Sequence, residues 1–570
     1  LNNSAVQARS VTVSPLAGSR DVSPRSQISF LGAPAAQISA ISVVGSQTGT
    51  HRGRLAPYSQ GDGASFLPAR PFAEGERVTV RARLRRAGSR AALLDRFVIA
   101  RSDPVSTAPE AIHPSSQFQS FLSRPDLHPP TVAVTASSPG LASGDVFVAP
   151  YTGPGQAGPM ILDQGGRLLW FKALPTHTSA TNLRVQQYQG KPVLTWWQGD
   201  ITDHGYGLGD DEIFDPTYSP VAVVRAGNGY RADLHEFQLT GRGTALITAY
   251  NSIRCNLSSV GGAALGAVTD SVFQEIDVRT GLVRFEWTSL DHVGLDESYE
   301  RARKSSTAFP FDFFHINSLN LDSDGSVLVS ARNTWTVYDV DGHSGRVIWR
   351  LGGRHSSFTP GPGTRTAWQH DPRPLPDGSI SIFDNGASPR VRGQSRGLVL
   401  DLNSKSASAT LVTQLTHSPP LVADSQGNMQ ALENGDWFLG WGQLPYFSEY
   451  GPDGKLLFDA HFPAHTQSYR SFRFPWTGTP SHRPTFVMQT GQGPATVFAS
   501  WNGATLVASW RVLAGRDPAS LQVVAQAPRG GFETALPLPA ATVGPDVVVQ
   551  ALDAGEQVLG TSATVSEPGL

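Results

Sequence analysis

Four short stretches share a pattern that fixes most of what this chain can fold into: a polar residue, then two β-type runs joined by a Gly-bearing turn. They read DLHEFQLTGRGTALITAY (233–250), FHINSLNLDSDGSVLVSAR (314–332), WQHDPRPLPDGSISIFDN (368–385) and NMQALENGDWFLGWG (428–442). A unit this small cannot bury its apolar face alone, so repetition predicts neighbours stacked around a common core. Outer strand pairs accompany the units at 159–172, 272–287, 334–351, 397–412 and 446–460. A further inner segment, NLRVQQYQGKPVLTWW (182–197), has YSPVAVVRAGNG (218–229) as its outer part, which brings the count to six four-stranded units. Radial repetition of four-stranded sheets disposes of exposed strand edges. The long irregular stretches at 200–217, 251–270 and 288–313 argue against a solenoid. The expected fold is all-β, with a six-bladed β-propeller over 144–486.

Both ends read differently. Residues 10–101 carry period-two runs such as RVTVRARL and LLDRFVIA between Gly/Pro/Ser turns, which predicts an immunoglobulin-like β-sandwich over 1–101. Residues 102–143 are a Pro/Ser/Ala-rich linker followed by an extended strap, FQSFLSRPDLHPP. The alternating runs of 487–570 predict a second sandwich of fibronectin-III-like character. Gly (58) and Pro (42) are abundant and charge is modest at 16 %, which suits many short strands. A net charge of −2 gives no basic face for nucleic acid, and no apolar run is long enough to span a bilayer. Cys255 is the only cysteine, which excludes an intrachain disulfide and a thiolate metal cluster. The opening LNNSAVQARS has no charged-then-apolar segment; the expectation is an exported chain, periplasmic or extracellular, whose signal segment is absent from this sequence.

The repeat also concentrates chemistry. His235, His315 and His370 each precede the first inner strand of their unit, so a circular arrangement brings three imidazoles to one channel mouth. Asn317 lies two residues beyond His315, and Arg332 closes the returning strand of the same hairpin. Three imidazoles, an amide and a guanidinium suit a tetrahedral oxyanion. Three histidines also fit a zinc pattern, with Asp233, Glu236 and Asp371 nearby, and single histidines of this kind can simply cap backbone groups. Trp335, Phe314, Trp368 and Tyr338 could stack an aromatic ligand. Gln426 and Asn428 start the last unit at the equivalent place and could complete the pocket.

From FLSRPDLHPP (121–130) to SYRSFRFPW (468–476) the chain resembles the bacterial-type aryl sulfotransferases, which use no nucleotide sulfate donor (PAPS-independent). The resemblance rests on DLHEF, FHINS, SARNTWTVYDVDGHSGRVIWRLGG, WQHDPRP and FDNG. It implies transfer of a sulfuryl group from an aryl sulfate to a phenolic acceptor through a sulfohistidine, without a cofactor. By motif it makes His370 the nucleophile, supported by His235, His315, Asn317 and Arg332. A neutral imidazole is a competent nucleophile near pH 7, and Arg332 and Asn317 could hold the sulfuryl oxygens. A protonated His235 or His315 could assist the leaving phenolate. Gln369 and Asp371 flank His370 and could orient it, although strand alternation points them away. Two rivals stand beside this reading: a catalytically silent propeller binding a ligand or a protein, and a metal-dependent hydrolase or lyase built on the three histidines. An N-terminal sandwich could also pair subunits.

Overall fold

A computed structural model describes residues 11–86, 89–490, 494–539 and 544–566; the opening LNNSAVQARS, where export processing would be read, lies outside them. The described chain is all-β, arranged in ten sheets, with 3-10 turns and no α-helix. Among the described residues no helix is long and apolar enough to cross a membrane.

Residues 145–474 form six consecutive sheets, each built on four antiparallel strands, with short parallel additions at Phe311–Asp312 in the third and Thr359–Pro360 in the fifth. The second runs Ser179–Tyr188, Lys191–Ile201, Gly207–Phe214, Pro220–Val224. The third runs Phe237–Leu239, Thr244–Cys255, Gly266–Asp277, Val283–Thr288, and the fourth Ile316–Leu321, Ser326–Ala331, Thr336–Asp341, Val347–Gly352. His370–Pro374, Ile380–Asp384, Arg396–Asn403 and Ser408–Leu415 make the fifth. The sixth is Asn428–Ala431, Trp437–Gly440, Tyr446–Tyr450 and Leu456–His461, extended at its outer edge by Ala133–Ser137. The first joins distant parts of the chain: Asp145–Val148, Met160–Leu162 and Leu168–Phe171 take their innermost partner from Phe472–Phe474.

First strands of successive sheets touch one another from the first sheet through to the sixth, and Trp437–Gly440 of the sixth touches Phe472–Phe474 of the first, so the order of contact is cyclic. Amide side chains sew these inner strands together by imitating a backbone ladder. The Asn428 amide donates to Ser471 O (2.8 Å) and accepts from Ser471 N (2.9 Å). Gln430 does the same with Arg473 at 2.9 and 2.8 Å. Asn317 Nδ2 donates to Gln369 O at 2.7 Å. Each bond satisfies a buried main-chain group that no regular ladder reaches.

Two stretches with the irregular pattern of loops are strands. Gly207–Phe214 lies within 200–217, and the hairpin of Thr244–Cys255 with Gly266–Asp277 runs into 251–270. GLGDDEIF hides its strand because its glycines answer a steric demand: a Cβ on Gly207 or Gly209 would sit 2.4 or 2.6 Å from the Trp197 ring.

At the N-terminal end two four-stranded sheets share one core, with Ile28, Phe30 and Phe66 from one and Val43, Val78, Val80 and Phe97 from the other. The first of these sheets rests on the outer edge of the third central sheet, where Arg284 meets Asp62 at 2.8 Å and Ser29 Oγ donates to Val283 O at 2.6 Å. A C-terminal pair of sheets packs around Val497, Trp510, Val512, Leu536 and Val549. Between the N-terminal sheets and Ala133, the chain crosses the ring as an extended strap. Ala108 O accepts from Asp203 N (2.9 Å), Glu110 N donates to Ile201 O (3.1 Å) and His113 N to Thr152 O (2.6 Å).

Candidate active site

The starts of the inner strands are held in unusual backbone conformations. His315 has φ +56° and Gln426 φ +65°, a region that non-glycine residues visit at a cost of about 1–3 kcal/mol and that collects at functional sites. The result turns side chains of different sheets toward one another. The His235 and His315 rings meet edge to face with centroids 5.1 Å apart, and the Tyr469 ring lies 5.3 Å from His235 and 6.4 Å from His370. Tyr250 closes the group, 5.7 Å from His235 and 5.6 Å from His315. The three predicted histidines are therefore gathered around two tyrosines. His235 and His370 line a cavity of about 250 Å3, together with Gln426, Gln467, Glu110 and Asp203.

Each imidazole has its own orienting partner. His370 Nδ1 faces Asn385 Oδ1 at 2.8 Å and Trp368 O at 3.0 Å. Asn385 donates its Nδ2 to Ala423 O (3.2 Å) and Gln426 O (3.0 Å), which fixes its amide with the oxygen toward the ring. Nδ1 therefore carries the proton, and Nε2 keeps the lone pair. That lone pair accepts from Gln426 N at 3.0 Å. Burial, with the Arg332 charge adding to it, holds this imidazole well below the usual histidine range.

His235 Nδ1 pairs with Asp233 Oδ2 at 2.6 Å, and Asp233 also accepts from Gly207 N (2.7 Å) and Thr248 Oγ1 (3.0 Å). Burial lowers the His235 pKa against the opposing pull of Asp233. Burial alone would raise Asp233, but its ion pair and hydrogen bonds with His235 hold it below the ordinary carboxylate value. His315 Nδ1 pairs with Asp312 Oδ2 at 2.5 Å.

Arg332 lies beside His315 through the hairpin, its N–H donating to His315 O at 2.9 Å. Its guanidinium sits 4.7 Å above the Trp368 ring and donates to Asn333 Oδ1 (2.9 Å) and Asp424 O (3.1 Å). These partners are neutral, so its charge stays available to an anion. Beneath the histidines lies a buried charge cluster. Glu236 takes Arg184 at 2.6 Å, Arg373 at 2.7 Å and Arg470 at 3.1 Å; Asp371 takes Arg373 and, at 3.1 Å, Arg470. Three guanidiniums against two carboxylates leave one positive charge directly below the site.

Several expected ligand contacts take other places. Phe314 and Tyr338 are fully buried in the apolar core with Trp287, because the Phe314 ring packs across to Tyr338 at 5.3 Å instead of turning to the channel. Asn428 is spent on Ser471, so it fastens the last sheet to the first and does not reach the cavity. Gln369 donates to Ala331 O and Thr336 O, and Asp371 serves the arginines; neither orients His370. The Asn317 amide holds Gln369 O, so it acts through the backbone that carries His370. Trp368 is a platform for Arg332, and Trp335 stacks on Tyr299 outside the histidine cavity. Gln426 alone of the proposed rim residues lines that cavity.

The repeat and its motifs do not single out Tyr250, Tyr469, Asn385, Asp312, Glu110 or Gln467, and Asp233 stands out there only as a metal ligand. The D-x-H of 233–235 and D-x-x-H of 312–315 were the available signals for the two carboxylates. Glu110 arrives on the strap and accepts from Gln467 Nε2 at 2.8 Å; burial raises its pKa.

A sequence profile described as arylsulfotransferase (ASST) matches residues 184–463, a span that contains His235, His315, Asn317, Arg332 and His370. No curated protein shows significant similarity to the chain. Among solved structures, a protein of unknown function from Bacteroides caccae aligns at TM-score 0.36 and 12 % identity, covering 58 % of this chain and 98 % of its own. A catalytically inactive virginiamycin B lyase from Staphylococcus aureus, with quinupristin, aligns at 0.27 and 8 % over 69 % and 97 %. An auxiliary nutrient binding protein from Bacteroides ovatus aligns at 0.28 and 8 % over 86 % and 96 %. Likenesses at this level carry no argument about chemistry.

Proposed function

Through residues 184–463 the chain belongs to the arylsulfotransferase family, and on that premise we propose that it moves a sulfuryl group from an aryl sulfate to a phenol through a sulfohistidine at His370, without a nucleotide donor. The observation that carries the reading is the cluster of three oriented imidazoles, His315 against His235 and both His235 and His370 against Tyr469, beside an unneutralised guanidinium. The framework fits a six-bladed propeller over 144–486, supported by six sheets whose inner strands touch in cyclic order. We read the paired sheets at 1–101 and 487–570 as the two sandwiches. Export is part of the same reading, checked by the compartment in which the native protein fractionates.

In the first half-reaction His370 Nε2 attacks sulfur, the S–O bond to the ring breaks and the aryl oxygen leaves as phenolate. The imidazole then carries SO3 on Nε2 and keeps its proton on Nδ1, where Asn385 Oδ1 and Trp368 O share the ring's positive charge. Arg332 is the fixed cation for the sulfuryl oxygens. In the second half, His235 Nε2, left free by the Asp233 bond to Nδ1, takes the acceptor's hydroxyl proton. The acceptor oxygen attacks sulfur, and the N–S bond electrons return to His370. For either step the Gln426 N–H must withdraw from Nε2. Its left-handed backbone, next to Gly427 at φ +101°, makes this the segment best placed to move.

That same cap on Nε2 favours the second reading, a ligand-binding protein that performs no transfer. For the metal reading, no group of three or more His, Cys, Asp or Glu among the described residues is arranged to hold an ion. Incubation with para-nitrophenyl sulfate and a phenol acceptor separates the readings. Acceptor-dependent nitrophenolate release with parallel ping-pong lines, lost in His370→Ala, supports transfer. Tight binding without turnover supports the silent protein, and turnover abolished by chelators supports the metal.

A further inference from the structure

The histidine cavity is lined by two carboxylates, Glu110 and Asp203, and by no arginine or lysine. A separate groove of about 530 Å3 has the opposite character. Arg354, Arg365 and Arg392 line it, no Asp or Glu does, and its flat wall is the stacked pair Tyr299 and Trp335. These rings are 3.7 Å apart and 3° from parallel, and Arg354 caps the outer face of Tyr299 at 4.6 Å while donating to Ser298 O at 3.2 Å. Of the three guanidiniums only Arg392 is tied to a carboxylate, Asp384 at 2.9 Å. The indole N–H of Trp335 is buried without an acceptor among the described residues. Trp335 in turn meets Trp368 edge to face at 5.1 Å, and Trp368 carries Arg332. Two tryptophan rings, Trp335 and Trp368, thus stand between the groove and the guanidinium of the transfer site.

We propose that this groove is a second binding site, for an aromatic oxyanion. Its volume falls in the range that holds a small organic ligand. Planar guanidiniums match the oxygens of a sulfate or sulfonate, while the Trp335 and Phe358 side chains offer apolar wall to a ring. A negatively charged aryl molecule in solution is attracted to this face by its three guanidiniums, so it collects here. That the natural ligand is the aryl sulfate donor rests on the sulfuryl-transfer reading; that the groove binds an aryl anion does not.

The test is isothermal titration of the full chain with para-nitrobenzenesulfonate, which carries the same anion but has no ester oxygen to release. The expected result is binding that weakens at least tenfold in the Arg354→Ala/Arg365→Ala double variant and persists in His370→Ala, with nitro-group quenching of Trp335 fluorescence following the same isotherm. Both arginines are exposed, so the fold should tolerate their removal; an unchanged thermal melt, and partial recovery in Arg354→Lys/Arg365→Lys, exclude an indirect loss. Wild-type affinity in the double variant overturns the proposal. Because the sulfonate cannot be turned over, failure of the transfer reading leaves this isotherm untouched. Failure of the groove leaves the His370 kinetics untouched.

Discussion

Asn385→Ala removes the amide that fixes the His370 tautomer while leaving the nucleophile in place. Three hydrogen bonds disappear: to His370 Nδ1 at 2.8 Å, to Gln426 O at 3.0 Å and to Ala423 O at 3.2 Å. At roughly 0.5–1.5 kcal/mol net for each, with buried carbonyls left unpaired, the stability loss is about 2–4 kcal/mol. The catalytic loss should be limited, because Trp368 O still accepts from Nδ1 at 3.0 Å and keeps the lone pair on Nε2. Complete loss of an orienting partner that leaves the wrong tautomer costs about 10,000-fold in a serine protease, whereas removing one of several supports costs about 10–100-fold. The expectation is therefore a 10–100-fold slower nitrophenolate burst in stopped flow, with KM for the donor little changed and the burst amplitude intact. Urea titration of the same protein should show the stability loss. A burst as fast as wild type refutes the orienting role. A loss as complete as in His370→Ala shows that Trp368 O does not hold the ring.

Arg332→Ala should lower kcat about 100- to 1000-fold, and Arg332→Lys should recover little of it, since an ammonium cannot serve both carbonyls and ligand oxygens; initial rates with para-nitrophenyl sulfate decide this. Asn428→Ala removes two bonds between the sixth and first sheets, so it should cost about 1–3 kcal/mol by urea titration yet leave kcat/KM unchanged. His370 and His235 have folded pKa values below the free value of about 6.5, so the unfolded chain takes up more protons as pH falls. Their contribution is complete above about pH 6.5 and is lost below it, at up to about 1.4 kcal/mol per pH unit for each group. His370→Gln should flatten that slope in urea titrations between about pH 6.5 and 5.5; an unchanged slope contradicts the assignment.

The recurrence of histidine before an inner strand was enough to place His235, His315 and His370 together, because a repeat converts sequence position into a shared place in space. The partners of those rings follow different rules. Asp233 and Asp312 lie two and three residues upstream and could have been found by looking for a carboxylate near each Nδ1. Asn385 comes from the far end of its own hairpin, and Glu110 from a strap more than a hundred residues before His235, the first of the three site histidines, so only the folded strap brings it in. Aromatic residues misled in the opposite direction. Phe314 adjoins His315, yet neighbouring residues at this turn face opposite ways, and the ring goes to the core. Asn428 stands where Asn317 stands in an earlier sheet; both are amide links between inner strands, a role that composition and alternation do not reveal. The strand Gly207–Phe214 was invisible because its glycines are set by the Trp197 ring and not by strand propensity.

Transfer through His370 requires its Nε2 to become sulfated during turnover. The direct measurement is peptide mapping by mass spectrometry after the full chain has been mixed with para-nitrophenyl sulfate, without acceptor, and quenched at alkaline pH. The expected result is one sulfuryl group per chain on the peptide that contains His370, discharged when phenol is added before the quench and absent in His370→Ala. Acceptor-dependent turnover with no adduct on that peptide, or with an adduct on the peptide of His235 or His315, would contradict it.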